Sequence, residues 1–379
     1  MTESRKSHRF DTVALHAGLG DDPTGAVAPP IHLSTTYSRR PDGELRGDFV
    51  YSREGNPNRR ALETALAQLE GGAHGFAFAS GLAAMHALFQ TLDPGDHVLI
   101  PEDLYHGTKV LLTGPLSRWG LEVSVVESGS LGAIERALTP RTRLVMAETP
   151  SNPQLFTTDI EATARIAHAA GAQLAVDNTW MTPVWQRPLE LGADAVVHSS
   201  TKYFGGHSDV MGGAVVTADG GPTSERLLDI QAHAGAVPSP FDCWLLRRGL
   251  MTLGVRVRAQ SRTAERLARF LLEHPTVEWV GYPGLESDPG HAVTRRQATG
   301  FGAMLSFRVS GGFDGAARFA SRVELFTCAT SLGGVESLLE HRALVEGPDS
   351  KTPDDLLRVS VGLEDPEDLI ADLSAALVP

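Results

Sequence analysis

The amino-acid sequence predicts an α/β fold, a mostly parallel sheet covered by helices, followed by a smaller C-terminal α+β domain. Three observations carry that expectation. Short apolar runs bounded by turn residues recur between residues 75 and 216, each too short for a helix and suited to a strand buried on both faces. Helix-period or turn-rich segments separate these runs, and strands alternating with helices pair in parallel through crossovers. After about Pro240 the alternation gives way to one long helical stretch and a mixture of strands and helices.

Residues 1–57 are irregular, with Pro29-Pro30 and the hydroxyl run Ser34-Thr35-Thr36, and read as an arm that wraps a partner. From Arg59 the positions Ala61, Leu62, Ala65, Leu66 and Leu69 fall on one helix face, which Gly71-Gly72 ends. The run Gly75-Phe76-Ala77-Phe78-Ala79 reads as a strand, and a second helix follows from Gly81. Further strands are expected at 97–100, 123–126, 144–147, 174–176, 195–197 and 214–216. A long helical stretch is expected over 244–273, then strands at 304–307 and 357–361 and helices, the last of them near the C-terminus. The resulting division is an arm at 1–57, a large domain at 58–240 and a C-terminal domain at 241–379.

A length of 379 residues and 42% hydrophobic content provide for a large core and about two to three domains. The 33 basic against 46 acidic residues give a formal charge of −13, which argues against a general nucleic-acid or anionic-membrane binder. Cys243 and Cys328 are too few and too far apart for a disulfide framework or a structural zinc site, so a reducing, cytoplasmic compartment is expected. Residues 1–20 carry charges throughout and no apolar signal core, so secretion is not expected. The charge-free stretch 71–92 holds His74, Ser80, His86, Gln90 and several glycines, and reads as strand-turn-helix rather than a membrane span.

Lys202 stands in His198-Ser199-Ser200-Thr201-Lys202-Tyr203-Phe204-Gly205-Gly206-His207, and upstream the apolar stretch 173–176 ends in Asp177. An amine among hydroxyls and glycines, with a carboxylate at the end of a buried strand, suits an aldehyde cofactor with a pyridine ring: pyridoxal 5'-phosphate. Its chemistry needs an amine to bond the aldehyde, a carboxylate to keep the ring nitrogen protonated, donors for the phosphate and a cation for the substrate carboxylate. Lys202 is the candidate amine, since a lysine in a partly apolar pocket loses its charge readily and serves as nucleophile and then base. Asp177 is the candidate carboxylate, although Asp177-Asn178 also fits a plain strand end and turn. Ser80-Gly81-Leu82 lies between a strand and a helix, where free N–H groups and the helix dipole favour a phosphate; Ser-Gly there is also a common turn. Ser199 and Thr201 alternate on the approach to Lys202, so both hydroxyls face one phosphate or are taken up by nearby backbone.

No Gly-x-Gly-x-x-Gly follows a strand and no Gly-x-x-x-x-Gly-Lys-Ser/Thr occurs, so dinucleotide and nucleoside triphosphate folds lack their fingerprints. His-Glu-x-x-His and paired Cys-x-x-Cys are absent as well, and no metal site is expected.

A series of ordered segments extends the pattern: Tyr51-Ser52-Arg53-Glu54-Gly55-Asn56-Pro57, Ala79-Ser80-Gly81, Leu104-Tyr105, Glu148-Thr149-Pro150-Ser151-Asn152-Pro153, Val176-Asp177-Asn178-Thr179, Ser199-Ser200-Thr201-Lys202-Tyr203, Ser331-Leu332-Gly333-Gly334-Val335-Glu336-Ser337 and Arg358-Val359-Ser360-Val361-Gly362. With them the chain resembles, over nearly its whole length, the transsulfuration enzymes, the Cys/Met-metabolism branch of fold-type I pyridoxal-phosphate enzymes. The resemblance implies that Lys202 carries the cofactor covalently, that Asp177 binds the pyridine nitrogen, and that Tyr105 stacks on the ring and shuttles protons. It implies a phosphate held by backbone at Gly81 and Leu82 with Ser199 and Thr201, and reached by Tyr51 and Arg53 from a neighbouring subunit. A dimer at least follows from that sharing, and the family pattern is a homotetramer, a dimer of dimers. Asn152 and Arg358 are implied to grip the substrate's α-carboxylate, Arg358 through a bidentate pair that lysine does not reproduce. Ser331 falls where the family places a residue of the substrate pocket.

The chain also departs from the pattern. Tyr105-His106-Gly107-Thr108 lacks the cysteine of methionine γ-lyases, and Thr330 stands where many cystathionine γ-lyases and γ-synthases carry glutamate. Asn58 replaces the usual threonine after Asn-Pro, and 341–347 lacks the Met-Thr-His of many members. The expected function is a pyridoxal-phosphate-dependent carbon–sulfur lyase of sulfur amino-acid metabolism, a cystathionine γ-lyase with β-lyase activity also open. The alternative is cystathionine γ-synthase or a related γ-replacement enzyme on O-acylhomoserine, ahead of methionine γ-lyase or an aminotransferase. A small sulfur amino acid is the expected partner, with no nucleic acid or membrane.

Overall fold

The structure, a computed structural model, describes residues 8–20, 22–346 and 352–378. Residues 1–7 and 21 of the expected arm, and Gly347 of the departing 341–347 segment, lie outside the described residues, as do 348–351 and 379 of the expected C-terminal domain. Seven strands form the larger sheet: β1 His74–Phe78, β2 His97–Pro101, β3 Glu122–Val126, β4 Thr142–Glu148, β5 Gln173–Asp177, β6 Ala195–His198 and β7 Gly213–Thr217, in the order β1-β7-β6-β5-β4-β2-β3. The pairs β2–β3, β2–β4, β4–β5 and β5–β6 are parallel, while β7 runs antiparallel to both β6 and β1.

Side chains alternate between two cores, as a sheet covered on both faces requires. Val98, Ile100, Leu144, Met146 and Ala175 pack with Ala84, Leu88 and Phe89 of the helix Gly81–Gln90. Leu99, Val145, Ala147, Leu174 and Val176 pack on the opposite face with Ile160, Ala164 and Ala167 of the helix Ile160–Ala169. Both neighbours of each strand are apolar, which is why these runs lack the polar alternation of a half-exposed strand.

The smaller sheet comprises β8 Val277–Gly281, β9 Met304–Val309, β10 Thr327–Cys328, β11 Leu338–His341 and β12 Leu356–Ser360, ordered β10-β11-β12-β9-β8. Its pairs are antiparallel except β10–β11. The long helical stretch expected over 244–273 is divided into two helices, Pro240–Leu250 and Leu253–Glu273. The break follows from a contact that no local sequence signal encodes. Gly249 packs against the loop that carries Lys202 so closely that a Cβ there would lie 2.1 Å from the Phe204 carbonyl oxygen. Arg256 then ties the two helices to the loop, donating to Gly249 O and Tyr203 O, each at 2.8 Å.

Candidate active site

The carboxyl ends of β4, β5 and β6 lie side by side, where open α/β sheets place their ligands. Glu148 and Asp177 are register partners at the ends of β4 and β5. Thr179 donates to Asp177 Oδ1 from its backbone N at 3.0 Å and its Oγ1 at 2.5 Å, and no protein donor reaches Oδ2 among the described residues. Burial raises the Asp177 carboxyl from its ordinary value and the two Thr179 bonds pull it back. Thr179 Oγ1 also accepts from Ser199 N at 2.9 Å, which locks the Asp177 strand end to the start of the lysine loop.

Beyond β1, Ser80 caps the helix Gly81–Gln90, its Oγ accepting from Ala83 N at 3.1 Å. The amides of Gly81 and Leu82 meet no protein acceptor among the described residues and sit at the positive end of the helix dipole. Only glycine fits at 81, since a Cβ would come within 2.9 Å of Ser199 Cβ. The two hydroxyls before Lys202 differ. Thr201 Oγ1 donates to Gly212 O at 3.1 Å and accepts from Gly212 N at 3.0 Å, whereas no described protein group bonds the Ser199 hydroxyl. Among the described residues the cradle therefore offers two amides and one hydroxyl without protein partners.

Lys202 N donates to Ser199 O at 3.1 Å, and its Nζ donates to Ser331 Oγ at 2.7 Å. Burial, reinforced by the Arg358 guanidinium and opposed by Glu340, lowers the amine from 10.5 to about 8. Ser331 is held at φ 95°, a left-handed conformation that side chains rarely adopt. Two residues on, Gly333 donates from its N to Ser360 Oγ at 2.8 Å and packs on the backbone of Tyr203. Arg358, on β12, is 4% exposed rather than solvent-facing. It donates to Asn152 Oδ1 at 2.9 Å through NH1 and to Ser331 O at 3.0 Å through NH2, and pairs with Glu340 at 2.5 Å.

Tyr105 is anchored through its backbone N, which donates to Glu148 Oε2 at 2.8 Å. Its ring, with Leu82, borders Gly107, where a Cβ would meet Tyr105 Cε1 at 2.6 Å and Leu82 Cδ1 at 3.3 Å. Burial first, then the neighbouring Asp177, holds the Glu148 carboxyl well above the usual carboxylate range. Tyr51 and Arg53 stand apart: Arg53 NH1 donates to Ala232 O and its guanidinium lies 5.6 Å from the Tyr51 ring centroid. No hydrogen bond or ion pair among the described residues joins either to the cluster around Lys202.

Lys202, Asp177, Ser199, Gly81, Ser331, Arg358 and Asn152 are thus linked through direct bonds and close contacts, with Leu82 and Tyr105 bordering them. Sequence reasoning gave no part to Thr179, Glu148 or Glu340. Asp177-x-Thr179 is a visible turn pattern that could have flagged the first, and Glu148 stands in a quoted segment; Glu340 has no local signal. The residues fit pyridoxal phosphate: amides and a hydroxyl without protein partners suit a phosphate, and the open oxygen of Asp177 suits a protonated ring nitrogen. Among the described residues no group of three or more His, Cys, Asp or Glu is placed to hold a metal, and no helix is long and apolar enough to cross a membrane.

The Cys/Met metabolism PLP-dependent enzyme family model matches residues 11–378, and the chain belongs to that family, whose cofactor is pyridoxal phosphate. It is 48% identical to the cystathionine gamma-synthase of Mycobacterium tuberculosis, with all of both chains covered. Identity to the cystathionine gamma-lyase of Bacillus subtilis is 44%, covering 97% of this chain and 98% of that protein. The fold matches the crystal structure of metB from Corynebacterium glutamicum with a TM-score of 0.95 at 45% identity, over 98% of each chain.

Proposed function

We propose that the enzyme cleaves the carbon–sulfur bond at the γ-carbon of cystathionine as a cystathionine γ-lyase, with β-lyase activity also open. The observation that supports the amino-acid chemistry common to this reading and its rival is the Lys202 amine, 2.7 Å from Ser331 Oγ and beside the Arg358–Asn152 pair. A base of depressed pKa next to a carboxylate clamp is what proton abstraction from an amino acid requires. Bound in the site, pyridoxal phosphate supplies a carbonyl for the substrate amino group and a sink for the electrons released at the α-carbon.

Arg358 and Asn152 hold the α-carboxylate and so aim the α-hydrogen at Lys202. Asp177 keeps the ring nitrogen protonated through its open oxygen. The Gly81 and Leu82 amides and the Ser199 hydroxyl would hold the phosphate; Thr201, whose proton is donated to Gly212 O and which accepts from Gly212 N, would join them only by turning its hydroxyl away from Gly212. Lys202 Nζ, lowered to about 8, takes the α-proton in its neutral form, whose share grows as the pH rises toward that value. In γ-chemistry Lys202 must first pass that proton on before it removes a β-proton, and Tyr105, as second proton carrier, protonates the departing sulfur; β-chemistry needs one abstraction.

Tyr51 and Arg53 serve the site of a neighbouring subunit in a homotetramer, a dimer of dimers, in the cytoplasm. Val27 at 100% and Leu33 at 70% exposure are apolar groups of the 1–57 arm that such a subunit would cover, which supports the reading. The 58–240 unit holds the cofactor and 241–379 completes the substrate pocket. A second reading, γ-replacement on O-acylhomoserine, draws support from the mycobacterial relative named a synthase. Incubation with cystathionine alone is expected to release a thiol and a keto acid. If it releases neither, while O-acylhomoserine plus cysteine yields cystathionine, the lyase reading fails and the synthase reading stands.

A further inference from the structure

We propose that Glu340 is a positioning residue of the substrate site: its carboxylate fixes the plane of the Arg358 guanidinium that receives the substrate's α-carboxylate. The inference rests on the reading of Arg358 as the carboxylate clamp.

Glu340 and Arg358 are directly opposed across the β11–β12 pair, and Ser306 opposes Arg358 on the β9 side. The three residues form one line across the sheet, on the face that meets 152–153. Ser306 Oγ donates to Pro153 O at 2.7 Å and Arg358 NH1 to Asn152 Oδ1 at 2.9 Å. Glu340 Oε2 lies 2.5 Å from Arg358 NH2 and 2.6 Å from Arg342 NH1, and all three side chains are at most 8% exposed. The backbone register, and not a flexible side-chain encounter, therefore sets this contact.

Stability alone does not account for it. A buried ion pair is commonly replaced by apolar residues without loss, and this one leaves Glu340 Oε1 buried with no hydrogen-bond partner among the described residues. What the contact does supply is orientation. With NH2 held by Glu340 and Ser331 O, and NH1 by Asn152, the planar fork cannot rotate. A fork already held in place loses less freedom when it grips a second carboxylate.

The test titrates the pyridoxal-phosphate-loaded enzyme with glycine and with methylamine, which shares the amine and lacks the carboxylate, and reads the cofactor absorbance change. Glu340→Ala is expected to weaken glycine at least about tenfold, and Glu340→Gln at least about threefold, with methylamine within about twofold of wild type. Glu340→Gln is near-isosteric and carries the test alone if the alanine variant does not fold. Unchanged or tighter glycine binding, or equal weakening of both ligands, overturns the proposal. Arg358→Ala must abolish the preference for glycine; if it does not, the clamp assignment itself falls and this inference with it. Neither ligand contains sulfur, so failure of the γ-carbon chemistry would leave the result standing.

Discussion

Replacing Arg358 with lysine keeps a positive charge and removes the fork, which isolates what the fork does. The guanidinium serves Asn152 Oδ1 at 2.9 Å, Ser331 O at 3.0 Å and Glu340 at 2.5 Å, on two different nitrogens. One ammonium cannot reach both sides of that span and still meet a substrate carboxylate in a bidentate pair. Losing one or two charge-assisted bonds, each worth about 1.5–3 kcal/mol, predicts a net loss of about 2–4 kcal/mol, or roughly 30- to 1000-fold in kcat/KM. Glu340 keeps Arg342 as partner at 2.6 Å, which limits the damage to the fold. Steady-state release of thiol and keto acid, with cofactor occupancy checked by absorbance, reads the effect, and most of it is expected in KM. A loaded Arg358→Lys enzyme with kcat/KM within about threefold of wild type would refute the clamp.

Ser331→Ala and Ser331→Gly both remove the hydroxyl that receives Lys202 Nζ and should both slow turnover. Only glycine relieves the φ of 95°, so Ser331→Gly should be the more stable of the two by about 1 kcal/mol in urea unfolding; equal stability would contradict the backbone account. The apoenzyme should depend on pH through Lys202, whose folded value of about 8 lies below its ordinary 10.5. Between those values the unfolded chain binds more protons at this residue, so stability rises with pH across that window, by at most about 3 kcal/mol. The difference in unfolding free energy between wild type and a Lys202→Met apoenzyme should climb from pH 8 to 10.5, and a flat or falling difference would count against burial of the amine. Gly249→Ala forces a Cβ to 2.1 Å from Phe204 O and is expected to cost about 1–3 kcal/mol and slow turnover by shifting the lysine loop; an unaltered enzyme would show that the helix break has another cause.

The larger sheet was legible because its strands obey a local rule. Runs such as Val98-Leu99-Ile100 and Val145-Met146-Ala147 are short, apolar on both faces and bounded by turns, and all became strands. The family segments likewise pointed to Lys202, Asp177, Ser199 and Arg358, which the fold brings together through the bonds of Thr179, Ser199 and Ser331. The break within the helical stretch 244–273 stayed hidden for the opposite reason. The interruption at Met251-Thr252 goes with Gly249 and Arg256 meeting the distant loop at Tyr203 and Phe204, and Leu250-Met251-Thr252-Leu253 itself holds no breaker. Glu340 stayed invisible because its meaning lies in a cross-strand register. Within Leu338-Leu339-Glu340-His341 nothing says that the carboxylate will face Arg358 rather than water. The contrast between Ser199 and Thr201 has the same origin: which hydroxyl the backbone takes depends on where Gly212 passes.

The most direct test of the central claim is borohydride reduction of the purified enzyme followed by peptide mapping. The account predicts a yellow protein whose cofactor becomes fixed on the peptide carrying Lys202, and a Lys202→Ala variant that gains no label there and has almost no turnover. A label on another lysine, or full turnover in Lys202→Ala, would contradict it.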